Sequence, residues 1–575
     1  MRRPGPFAAA LLLAGAVLAL TADERVFGLG TDGRIMLRTA VSMVTLGEIG
    51  IARGQAVDVP RPGGDAVSRY GMGASFVLAL PASAAGATER FFGAGASQSL
   101  FVLEQILLVL LAAFGAGLLA RVLMGDEKGG ERAAGAAALA TALASPLWAY
   151  VALDFSEPLQ AAVSGTSLAC AVLSGRPARS ARRAIALAAL SGFLAGFGLL
   201  TKSLLVILIP LVIFLIASGG EPSGRKRRVV AAFAGTLPPA ELWLALEVVR
   251  FGRPFSAYAG EHFGHPLLDG LWRLTVGPNK GLLLYFPLAL LSLVGAAALA
   301  RKARPAIVAL EIFCGFLLVS AAAWWAWDGT FGWGPRLLAP SLPILAALAA
   351  CAPVPPLVFR TLFALGFAVN GIAALQPESL TSWTYKVLPR RELAGEETPR
   401  FPVFAYERMP DGRRLLFSQY DAANHAALAP IPLSFRLLWA RLDGKGVAAL
   451  DAALWTSREP ALKPVSSLAE AVAPAELVHL TAPFRWPRLG MSLSRRKTQA
   501  DQSLAYVEAL LDQANRAQDM GRADRALAFG EQLFALLRLG IELGLAHGSS
   551  QFFVGRRQRD HFVKSIADAR GGGLT

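Results

Sequence analysis

Long apolar blocks, each of a length that can cross a membrane, constrain the fold of this chain more than any other feature. The 575 residues are 54% hydrophobic and only 17% charged, whereas soluble globular proteins carry about 25% charged residues. The apolar residues fall in blocks of roughly 17 to 25 residues, the length that a helix needs to span a bilayer. The sequence therefore predicts an all-α polytopic membrane protein with about eleven transmembrane helices. The predicted spans cover residues 7–21, 98–123, 133–150, 158–175, 184–201, 203–218, 229–248, 281–300, 306–326, 337–353 and 356–375.

The distribution of basic residues predicts the orientation of these spans. Residues 176–183, 224–228 and 301–304 are rich in Arg and Lys and fall on the same side as Arg2 and Arg3 in this topology. Basic loops mark the cytoplasmic side, so the N-terminus is predicted to be cytoplasmic and the C-terminus, after an odd number of spans, to lie outside. The same rule accounts for much of the net charge of +15, so nucleic acid is not an expected partner.

The first apolar run, residues 7–21, has two interpretations. It follows two arginines and is short enough to be a cleaved signal peptide. Because many more spans follow, a retained transmembrane helix is the favoured interpretation.

Composition divides the chain into three regions, a transmembrane domain over residues 1–376, a mixed segment over 377–500 and a helical region over 501–575. Within the first region, residues 23–97 form a long loop outside the membrane. The apolar residues Ile35, Leu37, Val41, Val44 and Leu46 recur on one helical face, which predicts an interfacial helix. Residues 501–575 have the pattern of a helical hairpin followed by a disordered tail. Both C-terminal regions are expected to be extracytoplasmic.

Ionisable and aromatic residues collect in the predicted outer segments of the chain. They occupy residues 32–38, 154–158, 202, 261–281 and 324–340. Ionisable groups at membrane depth are costly and tend to mark function. Their concentration on one face predicts a site that opens toward the outside. The three cysteines, by contrast, have neither metal-ligand spacing nor an obvious disulfide partner.

Five of the outer motifs, taken in order, resemble those of a known superfamily. They read TDGR, SRYGMGASFVLALP, DFSEP, GPNKGLLLYFP and WDGTFGWGPRLLAP, and the likeness covers residues 1–375. The chain resembles integral-membrane glycosyltransferases of the GT-C superfamily, which use polyprenyl-phosphate sugars, and within it bacterial relatives of the protein O-mannosyltransferases and aminoarabinose transferases. The resemblance implies a bacterial inner-membrane enzyme that transfers a sugar, at the outer face, to a glycan, lipid or protein acceptor.

Such a reaction needs a base for the acceptor hydroxyl and cations for the departing phosphate. Asp32 is the candidate base, since it lies where the resemblance implies a catalytic acid; the alternative is an acid at a helix N-terminus. Lys280, Arg336 and Lys202 are the candidate phosphate ligands, since Arg and Lys both pair with phosphate. For both lysines the alternative is a side chain that only reaches toward the membrane interface.

Asp154 and Glu157 form a candidate acceptor-binding or secondary acidic site. Their oxygens would also suit a divalent cation, Mg²⁺ or Mn²⁺, although no cofactor is required by the sequence. Glu157 alternatively begins a helix as a first-turn acid beside Pro158. His262 and His265 are candidate proton shuttles, and no third strong ligand accompanies them to make a metal site.

Two other classes of function compete with sugar transfer. A transporter or lipid flippase would show paired halves and charges deep within spans. The sequence has no internal symmetry, but Glu104, Glu241 and Glu311 lie inside apolar blocks. A scaffold for envelope assembly would need no clustered outer acids and cations.

Overall fold

The computed structural model describes the chain in fifteen segments and one single residue. These are residues 4–22, 31–51, 58–61, 65–92, 96–125, 127–153, 155–176, 180–219, 224–254, 257, 261–329, 332–375, 390–392, 406–408, 414–417 and 429–442. The described part is mainly helical, which agrees with the expected all-α membrane protein.

The chain divides into two compact units. The larger comprises residues 1–22, 71–73 and 105–487, and the smaller comprises residues 23–70, 74–104 and 488–575. The longer α-helices of the chain are α1 Pro6–Thr21, α2 Thr31–Leu46, α3 Met72–Phe92, α4 Ala96–Met124, α5 Glu127–Leu143, α6 Glu157–Ser174, α7 Ala181–Thr201, α8 Leu208–Ser218, α9 Arg225–Phe251, α10 Leu267–Thr275, α11 Leu282–Tyr285, α12 Ala289–Ala323, α13 Leu342–Ala350, α14 Pro356–Ala374 and α15 Pro430–Leu442. Short 3-10 helices cover Pro146–Ala152, Ser203–Ile207 and Arg336–Ser341.

Several helices of the described residues are suited to cross a membrane. Five are long and apolar enough by themselves: Ser99–Met124, α7, α9, α12 and α14. A sixth candidate is the pair Lys128–Leu143 and Pro146–Ala152, which is bent by 51°. Shorter apolar helices cover Pro6–Thr21, Met72–Thr88, Ser203–Ser218 and Arg336–Ala350. A multi-pass membrane protein is thus confirmed, and the count of eleven spans stays a prediction.

Helix α12 contains two of the predicted spans. It runs over 35 residues, but the backbone of Ala303 leaves helical geometry, with φ −139° and ψ 39°. Pro305 lacks the N–H for the helical ladder and its ring crowds the preceding turn, which accounts for the break. The break falls in the basic segment 301–304 that the sequence analysis put between two spans.

Small residues bring α6, α7 and α9 into close contact. Ser167 of α6 and Ser191 of α7 each donate a hydrogen bond to the other's carbonyl oxygen, at 2.9 and 2.8 Å. A Cβ added to Gly192 would overlap the carbonyl oxygen of Ala232 in α9. Small residues permit such approach between membrane helices, where van der Waals contact and hydrogen bonds drive association.

Helix α1 is packed into the larger unit. An added Cβ on Gly117 of α4 would overlap the Phe7 ring, and the Trp148 indole N–H donates to Thr21 Oγ1 at 2.9 Å. These contacts hold both ends of α1 against the larger unit, and its retention in the mature protein stays a prediction.

The smaller unit has its own core. Ile35 of α2 packs with Ile51, Ala66 and Tyr70, and strands β1 Gly50–Ile51, β2 Asp58–Pro60 and β3 Ala66–Ser68 form an antiparallel sheet in the order β1-β3-β2. Of the five apolar residues expected on one face of α2, all but Val44 are buried. Residues 31–46 thus form a helix, as does the later segment α3 of the same loop, in which interfacial helices were expected. Their position at a membrane interface stays a prediction, and the sheet was not predicted.

Little of the C-terminal third is described. Strands β4 Arg390–Glu392, β5 Tyr406–Arg408 and β6 Arg414–Phe417 form an antiparallel sheet in the order β4-β6-β5. The helical hairpin expected within residues 501–575 lies outside the described residues.

Candidate active site

Arg336 and Glu157 are brought together in the larger unit from positions far apart in the chain. Glu157 is buried at the start of α6, where Pro158 follows it and a helix N-terminus favours an acid. Arg336 Nε lies 3.8 Å from Glu157 Oε1, and its guanidinium carbon lies 4.8 Å from the centre of the Phe155 ring. Glu157 is therefore both the first-turn acid and the partner of a predicted phosphate ligand.

Glycines shape the segment that delivers Arg336. Gly329 and Gly334 adopt left-handed conformations, with φ of 65° and 64°, which side chains other than glycine rarely adopt. A Cβ on Gly329 would lie 2.8 Å from Arg336 Cγ, and one on Gly334 would lie 2.9 Å from the Tyr285 ring. The backbone here is bent tightly around the arginine side chain.

Lys280 is buried beside this segment. It lies between α10 and α11, and its ammonium donates to the carbonyl oxygen of Gly332 at 2.7 Å. Burial lowers the pKa of Lys280 from 10.5 to about 7, with Asp328 opposing the shift and Arg336 adding to it. The charges of Asp328 and Arg336 thus both act on Lys280. A nearby anion would favour the protonated form of this lysine and raise its pKa.

Buried aromatic and amide groups hold the segment in place. Ser145 accepts a hydrogen bond from the Leu147 N–H at the start of the 3-10 helix that carries Tyr150, and the Tyr150 hydroxyl donates to the carbonyl oxygen of Trp333 at 2.8 Å. The Trp333 indole donates to Asn370 Oδ1 at 3.0 Å, and its ring meets Tyr285 edge to face. The 3-10 helix and α14 therefore fix the loop from two sides.

Asp32 has its own setting in the smaller unit. It lies in the first turn of α2, and the Tyr70 hydroxyl donates to Asp32 Oδ1 at 2.7 Å. Tyr70 in turn packs on the core of that unit with Ile35. The carboxylate is thus oriented by a tyrosine of the SRYGMG motif, as a positioned base would require.

The remaining predicted residues differ in their surroundings. Lys202 directly follows α7 and is half-buried. Gly71 and Gly73 pack tightly against the preceding residue, since an added Cβ on either would overlap Thr201. His265 Nε2 lies 2.9 Å from Asp269 Oδ2 and its ring stacks on Trp327, while His262 is exposed.

Metal binding stays untested. Asp154 lies outside the described residues. Within the described part of the chain, no group of three or more His, Cys, Asp or Glu residues is arranged to hold a metal ion. The divalent cation considered for Asp154 and Glu157 therefore stays a prediction.

Sequence reasoning missed four residues that contact the candidate side chains or support the segments that carry them. Tyr150, Asn370, Asp328 and Tyr70 received no role, although Asp328 and Tyr70 stood inside quoted motifs. A buried polar residue in an otherwise apolar block is the signal that would have singled out Asn370, because buried amides need partners.

The depressed pKa of Lys280 predicts a dependence of stability on pH. The unfolded chain holds the lysine proton up to about pH 10.5 and the folded chain only to about 7, so stability rises as pH increases through this window and falls as pH returns toward 7. Thermal unfolding in detergent between pH 7 and 10 should show this rise. Lys280→Met should abolish it, whereas Lys302→Met, at an exposed lysine of α12, should keep it. An identical profile in wild type and Lys280→Met would contradict the assignment.

Gly334→Ala should destabilise the larger unit by about 1–3 kcal/mol, because the left-handed conformation costs about 1–2 kcal/mol with a Cβ and the methyl group would meet Tyr285. Gly315→Ala in α12 is the matched control, since an added Cβ there meets nothing within 4 Å. That change should be neutral or stabilising by up to about 1 kcal/mol. Equal unfolding temperatures for the two variants would contradict the role given to Gly334.

Comparisons with known proteins give structural neighbours only. No protein-family model matches the sequence, and no curated protein is similar to it. Among solved structures, the chain is similar to ArnT from Cupriavidus metallidurans bound to undecaprenyl phosphate, at 16% identity and a TM-score of 0.43, over 88% of this chain and 79% of ArnT. It is also similar to the Archaeoglobus fulgidus oligosaccharyltransferase, at 14% identity and a TM-score of 0.39, over 64% of this chain and 55% of that protein.

Proposed function

We propose that this protein is a glycosyltransferase that moves a sugar from a polyprenyl-phosphate donor to an acceptor hydroxyl at the outer face of a bacterial inner membrane. The observation that carries the proposal is the pair of buried residues Lys280 and Glu157, with Arg336 beside Glu157 and 11% exposed, next to the ends of apolar helices. Buried cations are costly unless anions accompany them, and a phosphate on a membrane lipid is an anion that reaches such a position.

Each residue has one task in the transfer. Asp32 accepts the proton of the acceptor hydroxyl, whose oxygen forms a bond to the anomeric carbon of the sugar. The bond between that carbon and the phosphate oxygen breaks, and its electron pair leaves with the phosphate. Arg336 and Lys280 neutralise the charge that develops there, and Lys202 is a further cation for the same phosphate. Proton, electron pair and sugar are thus all accounted for without a cofactor.

The helix ends agree with an outward-facing site. Glu157 begins α6 and Lys202 follows α7, whereas the basic segment 176–183 lies at the opposite ends of these two helices. Basic segments mark the cytoplasmic side, which supports the proposal that the acid and the lysine face outward.

The transporter alternative fits the ionisable residues less well. Transport pathways place such residues toward the interior of a bundle or a cavity. Of the three glutamates inside apolar blocks, Glu241 of α9 and Glu311 of α12 lie on exposed faces of their helices, and Glu104 of α4 is half-buried. This placement favours sugar transfer over transport.

A transfer assay with purified protein tests the proposal. The protein, reconstituted in vesicles with undecaprenyl phosphate that carries a radiolabelled sugar, should release undecaprenyl phosphate and move the label to an added acceptor. Repeating the assay with donors that carry different hexoses and pentoses, each with protein, lipid A and polysaccharide acceptors, identifies the donor sugar and the acceptor. Movement of an intact lipid or solute across the bilayer, with no breakage of the sugar–phosphate bond, would support the transporter instead.

A further inference from the structure

Asn279 is a buried amide whose hydrogen-bonding groups are unused. It lies one residue before Lys280, and its side chain is 1% exposed. Within the part of the chain that the structure describes, neither Nδ2 nor Oδ1 of this residue has a hydrogen-bond partner. A buried amide without partners is destabilising, and native proteins rarely retain one without a reason.

A second buried asparagine, Asn370, has hydrogen-bond partners for its side-chain amide and serves as a comparison. Asn370 Nδ2 donates to the carbonyl oxygens of Tyr285 and Gly366, both at 2.8 Å, and Oδ1 accepts from Trp333. The backbone carbonyl of Asn279 accepts the Tyr285 hydroxyl at 2.8 Å, and the Lys280 side chain donates to Gly332. These groups hold the loop, and among the described residues the Asn279 side chain contributes no hydrogen bond to it.

Two unused atoms, one on Asn279 and one on Glu157, are acceptors, which the acceptor oxygens of a phosphate do not satisfy. Glu157 Oε2, like Asn279 Oδ1, is a buried acceptor without a hydrogen bond among the described residues. A phosphate presents acceptors and is satisfied by donors such as Arg336 and Lys280. A hydroxyl group both donates and accepts, so it complements an amide that offers one donor group and one acceptor.

We propose that the Asn279 side chain binds a hydroxyl group of the sugar that is attached to the donor phosphate. The inference rests on the proposed function, because it takes Lys280 and Arg336 as the phosphate ligands. Asn279 then distinguishes the sugar-bearing donor from the bare lipid phosphate that remains after transfer.

Binding measurements on Asn279→Leu test this role. The probes are bare undecaprenyl phosphate and the undecaprenyl-phosphate sugar that is transferred fastest in the assay described above. Asn279→Leu should bind the bare phosphate as wild type does, and should bind the sugar-bearing donor about tenfold more weakly, the loss of one buried hydrogen bond. Without ligand, its unfolding temperature should equal or exceed that of wild type.

Asn370→Leu is the matched control. It removes an amide whose hydrogen bonds are all internal, so its unfolding temperature should fall. A similar fall for Asn279→Leu, an equal loss of both ligands, or no loss of either would overturn the proposal. Failure of wild type to bind undecaprenyl phosphate would instead contradict the proposed function.

Discussion

Arg336→Ala should lower the rate of sugar transfer by about 100- to 1,000-fold, the usual effect of removing one group that stabilises developing charge. Arg336 lies against Glu157 and over the Phe155 ring, where its planar guanidinium can make two parallel hydrogen bonds to a phosphate. Arg336→Lys keeps the charge but loses this geometry, so its rate should lie between those of the wild type and Arg336→Ala. Release of undecaprenyl phosphate from labelled donor measures all three rates.

Loss of Arg336 also affects stability, and this effect has to be separated from catalysis. Removing one partner of a buried ion pair destabilises a protein by about 3–5 kcal/mol, because Glu157 would be left buried without its cation. The double variant Glu157→Gln/Arg336→Met removes both charges, so its unfolding temperature should return toward that of wild type while transfer stays low. Recovery of transfer in this variant would contradict the role of Arg336.

Asp32→Asn should reduce transfer by about 100- to 10,000-fold, the range for loss of a general base. The amide oxygen can still accept the hydrogen bond from Tyr70, and asparagine is as well suited as aspartate to a helix N-terminus. The variant should therefore fold with an unfolding temperature close to that of wild type, while the same transfer assay reports the loss.

Two further variants separate catalysis from orientation at Asp32. Tyr70→Phe removes one hydrogen bond to the carboxylate and should lower the rate by only about 5- to 10-fold. Glu48→Gln, which changes the acid just beyond the C-terminal end of α2, should leave transfer unchanged. Normal activity in Asp32→Asn would exclude this residue as the base.

The apolar blocks predicted most of the helices, because a membrane requires continuous helical hydrogen bonding within each span. The two spans on either side of the basic segment 301–304 are an example. They were predicted as separate helices, and the structure has a non-helical residue, Ala303, between two helical stretches at that segment. Short strands such as β1–β3 escaped prediction, since two or three residues carry no readable alternation.

The site was predictable only in part, since its residues become neighbours through the fold. Glu157, Lys280 and Arg336 stood in motifs with the expected residue types. The residues that hold the loop before Arg336 did not: Tyr150 hydrogen-bonds to Trp333, 183 positions away, and Asn370 lies inside an apolar block. Contacts of this kind arise from helix packing, which a single sequence does not encode in any local pattern.

A structure of the protein with bound undecaprenyl phosphate, determined by electron cryomicroscopy, tests the central claim most directly. The phosphate oxygens should lie about 3 Å from the guanidinium of Arg336 and the ammonium of Lys280, the distance of a charge-assisted hydrogen bond. A lipid phosphate bound elsewhere, with Arg336 still paired with Glu157, would contradict the account.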